Sequence, residues 1–111
     1  MKAELAWWDL EGSGQTIDSL NAHLRDGATR PWVEVPGLVL KLWIADREHN
    51  AWGALMVWEH DRPADRPLPA NRAAELIGCP PTHRMGFEVA AGVEGLHTLA
   101  TLQGIGPVFA A

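Results

Sequence analysis

The chain has 111 residues, of which 47% are apolar and 21% charged, and its formal net charge is −5. That is enough for one domain able to bury roughly 65% of its unfolded surface, and the composition excludes wholesale disorder. The acidic balance, with only Lys2 and Lys41 as lysines and seven scattered arginines, excludes the clustered basic footprint of a nucleic-acid binder.

A single cysteine, Cys79, cannot form an internal disulfide, so a reducing compartment is the simpler expectation. The opening MKAELAWWDLEGSG carries Glu4 and Asp9 within its apolar part and lacks a signal-peptide core. No stretch reaches the ~20 apolar residues that a membrane helix needs. The expectation is a soluble cytoplasmic protein, a single domain over residues 1–111, with no membrane and no nucleic-acid partner.

Lys2 to Leu10 alternates, with Ala3, Leu5 and Trp7 on one face and Glu4, Ala6 and Trp8 on the other. Period two over this length predicts a first strand with both faces partly covered. Gly12-Ser13-Gly14 breaks it, and Thr16 stands where a helix N-cap belongs, with Asp18 suited to the positive end of the dipole. Ile17, Leu20 and Leu24 then recur at helical spacing, Gly27 offers a stop, and Arg30-Pro31 disfavours continuation.

Pro36 to His60 is the most distinctive segment, two apolar alternating runs around the polar turn Asp46 to Asn50. It predicts a β-hairpin with no wholly polar face on either strand. His60 to Pro69 is a charged, proline-rich connection in which Arg62, Asp65 and Arg66 make a solvated loop or a pocket lid. Ala70 to Ile77 is a short helix candidate, with Gly78 at its C′ position and Pro80-Pro81 beyond. His83 to Ala91 alternates His83, Met85, Phe87 and Val89 against Arg84, Gly86, Glu88 and Ala90, a fourth strand. Leu96, Leu99 and Leu102 in the tail suggest a short amphipathic helix.

The order β-α-β-β-α-β is the ferredoxin-like plan, α+β, a four-stranded antiparallel sheet with helices on one face. Two helices cover one face, leaving the other to present Val39 and Trp43, or Leu55 and Val57. Such an apolar face predicts a homodimer packed sheet to sheet.

PGLVLKLW, a polar turn and GALMVWE resemble the dimeric α/β-barrel superfamily, closest to the antibiotic-biosynthesis-monooxygenase-like group and small bacterial monooxygenase-type proteins. Pro36, Gly37 and Leu38 match the step that opens the second strand, and Trp58 with Glu59 matches the aromatic that closes the third. The resemblance covers Lys2 to Val93 in element order and about Pro36 to Glu59 in sequence. It implies a dimeric barrel, a pocket between sheet and helices, and cofactor-independent oxidation of a small aromatic or polyketide-like molecule. In that branch a tryptophan and an asparagine four apart on the third strand carry function. Trp58 matches the tryptophan, while Ala54 holds the asparagine position and the chain has no tyrosine. The alternative is a non-catalytic small-molecule-binding or assembly protein of the same fold.

Within this frame Trp58, Trp52 and Trp7 are the candidate substrate-binding residues, because broad planar side chains on strands can line an aromatic pocket or pack a core. His83 is the candidate base, its ordinary pKa of ~6.5 lying near working pH. The histidines show no zinc-type spacing, so no metal is expected, and the resemblance implies no cofactor. Lys41 is expected to pair with Glu88 in the dimer interface, or else to stabilise an anion in a pocket. No basic residue closer than His83 flanks Cys79, so nothing marks it as a reactive thiol.

Overall fold

A computed structural model describes residues 1–60, 68–69, 72–93 and 95–96. It contains β1 (Lys2–Asp9), α1 (Ile17–His23), β2 (Leu38–Asp46), β3 (Ala51–Trp58), α2 (Arg72–Ile77) and β4 (His83–Glu88). The strands form one antiparallel sheet in the order β2-β3-β1-β4, α+β and compatible with the ferredoxin-like plan. Most of the proline-rich connection and the leucine-spaced tail lie outside the described residues.

Local chemistry accounts for the boundaries. Thr16 Oγ1 accepts from the Ser19 backbone N–H, and Ser19 Oγ accepts from the Thr16 N–H, a reciprocal cap. After one π-type turn, Gly27 at φ 103 ends the helical path, as its position foretold. A 3-10 turn, Arg30–Trp32, then carries the chain to Val35. The Leu38 N–H donates to the Val35 carbonyl at 3.2 Å, closing a turn with Pro36 first and Gly37, at φ 82, second. That pairing is the type II signature, since proline presets φ and glycine tolerates the positive value. The motif at the head of β2 therefore has a purely conformational explanation.

Register assigns the paired side chains to a face. Ala45, Trp52 and Trp8 share the helix side with the row Trp43, Ala54, Ala6 and Arg84 and the row Lys41, Met56, Glu4 and Gly86. There Ala6, Trp8 and Trp52 join Leu10, Ile17, Leu20, Leu24 and Ile77 in the core. The Trp8 and Trp52 rings meet at 6.1 Å and 44°, a tilted aromatic pair. Their indole N–H groups donate to the Cys79 carbonyl at 3.1 Å and to Asn21 Oδ1 at 3.3 Å, so burial leaves no donor stranded.

The other face carries three rows across all four strands. They are Leu40, Val57, Ala3 and Phe87; Leu42, Leu55, Leu5 and Met85; and Ile44, Gly53, Trp7 and His83. His83 is the single polar side chain among the twelve. The apolar open face is thus the Leu55 and Val57 set, while Trp43 points to the helices. Leu42, Met85 and Phe87 remain 38%, 46% and 48% exposed. Gly53 has a steric reason on this face: a Cβ there would collide with the Ala6 carbonyl and lie 2.8 Å from Trp7 Cε3.

Candidate functional site

The four residues singled out by sequence divide between the two faces. Trp7 and His83 are direct cross-strand partners on the open face, where His83 is exposed at an edge strand. Trp52 and Trp58 lie on the helix side of β3. Trp52 is engaged in the core by Trp8 and Asn21. Within one chain the sheet itself separates His83 from Trp58.

Trp58 ends β3 in the row of Leu38 and Lys2, only 1% exposed. The Glu59 N–H donates to the Gly37 carbonyl at 2.9 Å, tying this end of β3 to the turn before β2. Beside Trp58 lies an open cleft of about 290 Å³, lined by Lys2, Ala3, Glu4, Gly86, Phe87 and Glu88. Gly86 contributes the space, since nothing lies within 4 Å of where its Cβ would be. The cleft's charged residues make it a polar mouth against an aromatic wall. Ala54, the residue at the resemblance's asparagine position, is buried beside Ala6 and Trp43.

One arrangement on the helix side was not legible in the sequence. Lys41, half-buried in mid-β2, places its Nζ 3.1 Å from the Trp32 ring centroid and 4.8 Å from that of Trp43. Trp32 comes from the 3-10 turn before the strand and Trp43 from two residues along it. The expected ion pair with Glu88 is corrected: Glu88 lies in the row of Trp58 and Lys2, on the strand at the opposite edge of the sheet. Lys41 also faces the helices rather than the open face. Among the described residues no carboxylate lies within ion-pair distance of its Nζ, and Glu4 reaches toward Arg84 at 3.9 Å.

Burial, with a smaller contribution from the Arg84 charge, lowers the Lys41 ammonium from the ordinary 10.5 to about 7. The indole faces favour the cation, so burial and aromatic contact act in opposite directions on the same proton. An amine so placed can hold an anion, accept a proton or act as a nucleophile. Arg47 and Asp18 form a different kind of pair, 2.7 Å apart but exposed, that joins the hairpin turn to the first turn of α1. Its hydrogen bond holds the Asp18 carboxyl below the ordinary value, and screening keeps its contribution small.

Among the described residues, no group of three His, Cys, Asp or Glu side chains is placed to hold a metal ion, and no helix is long and apolar enough to cross a membrane. No protein-family model matches the chain, and no curated protein is significantly similar to it.

Proposed function

We propose that this chain is a monooxygenase-like domain of the dimeric α/β-barrel type that binds a small aromatic or polyketide-like molecule without a cofactor, and that it works as a homodimer joined through the open sheet faces. The observation that carries the ligand class is the helix side of β2 and β3, where Trp32 and Trp43 stand against a half-buried lysine and Trp58 occupies the next row. Aromatic walls give area and orientation to a planar ligand, and a nearby amine suits a phenol or its anion. Enclosure would supply positioning and water exclusion, while an electron-rich substrate anion would itself activate oxygen. The apolar rows of the open face support the dimer, because that area is a liability in water.

A second reading, binding or assembly without catalysis, has a specific observation in its favour. Ala54 is a buried alanine where the resembled enzymes use asparagine, so one polar group expected beside the ligand is missing.

The test combines tryptophan fluorescence with oxygen uptake, using a panel of hydroxylated naphthalenes on the wild type and Trp58→Ala. Saturable quenching that weakens at least tenfold in the variant, with oxygen consumed, supports the enzyme. Quenching without oxygen uptake selects the binding reading. Identical responses in the two proteins remove Trp58 from the site.

A further inference from the structure

Lys41 combines three properties seldom found together at a lysine. It is half-buried in the middle of an edge strand, its amine lies against two indole rings, and no carboxylate among the described residues neutralises it. Its strand neighbour on this face is Met56, which carries no charge, and Glu4 beyond it reaches toward Arg84. Among the described residues, the remaining charged strand residues on this face are Lys2 and Glu88, one row away, with Arg30 and Glu34 flanking Trp32 in sequence, while α1 and α2 carry Asp18, Arg72 and Glu75. A lysine drawn partly out of water with no carboxylate to hold its proton is the general arrangement that frees the amine lone pair for attack.

We propose that Lys41 is a nucleophilic amine that forms a reversible imine with a small aromatic aldehyde or ketone, the ring of the ligand lying against Trp32 and Trp43. The neutral Nζ adds to the carbonyl carbon as the C=O π pair moves to oxygen and takes up a proton. The carbinolamine then loses one water, with nitrogen giving up its two hydrogens in the overall balance, and a C=N bond replaces C=O. Nothing is oxidised or reduced. The inference rests on the proposed function only for the aromatic ring of the ligand; the carbonyl is its own addition. At neutral pH an ordinary lysine is almost wholly protonated, whereas burial shifts Lys41 toward the free amine.

The chain supplies an internal control, because Lys2 is its only other lysine. The folded full chain is incubated at pH 7 with benzaldehyde and cyanoborohydride, which reduces the imine and fixes it, and the two sites are quantified by peptide mass mapping. Lys41 is expected to be labelled at least tenfold faster than Lys2, with the ratio falling toward one in urea. Lys41→Arg loses the fast label. Trp32→Ala, checked for folding by circular dichroism, keeps the label but loses at least threefold of the preference for benzaldehyde over acetaldehyde. Equal labelling of Lys2 and Lys41 in the folded protein overturns the proposal, as does a ring preference unchanged in Trp32→Ala. Fluorescence binding of hydroxynaphthalenes without trapping at Lys41 overturns this inference alone. Trapping without hydroxynaphthalene binding overturns the proposed function and leaves the amine chemistry standing.

Discussion

At the scale of single residues, the molecule separates tryptophans that look alike in sequence. Trp8 and Trp52 pack together in the core with their N–H groups satisfied. Trp7 lies over Gly53, whose missing side chain leaves the indole room. Trp32 and Trp43 instead meet a charge. That charge has a thermodynamic signature. The Lys41 amine is at about 7 folded and near 10.5 ordinarily, so between those values the unfolded chain holds more protons than the native one. Stability should therefore rise with pH across that window, with the burial penalty in full below pH 7. Urea midpoints at pH 6 and pH 9.5 test this. Lys41→Met should gain relative to wild type at pH 6, and the gain should shrink at pH 9.5. A difference between the two proteins that does not change with pH would rule the account out.

At the scale of elements, alternation in all four strands was legible because the two-residue period is a local property of the chain. The cap of α1 was legible too, since Thr16 and Ser19 meet within one turn. Thr16→Ala should cost about 1 kcal/mol in denaturant unfolding. A loss near zero would mean that packing of Ile17 and Leu20, not the cap, sets where α1 begins. Less legible were the ends. β4 is His83–Glu88, shorter than the alternation to Ala91 suggests. The register break between Leu38 and Leu40 gave no sequence signal, because a bulge depends on how the partner strand pairs. The Lys41 cluster was hidden for a similar reason: Trp32 belongs to a turn, not to a strand with a recognisable period.

At the scale of the whole molecule, the sheet has one covered face and one apolar open face, with helices α1 and α2 both packed on the first. This geometry places Trp7 and His83 on the open face, and Trp58 and Lys41 on the helix side. Light scattering at micromolar concentration should give about 24 kDa, twice the 12.1 kDa chain. Met85→Lys with Phe87→Glu, both at exposed positions of an edge strand, should return the folded protein to the single-chain mass. A wild type already at that mass would remove the dimer.

The sequence by itself determined the order of elements, the period of each strand and the cap of α1, because each depends on residues a few positions apart. Only the tertiary structure decided which alternating set faces the helices, that Trp58 and His83 lie on opposite faces, and that Lys41 rests on Trp32 rather than on Glu88. Those outcomes follow from strand order and register, which bring distant residues together through hydrogen-bonded pairing that no single segment specifies.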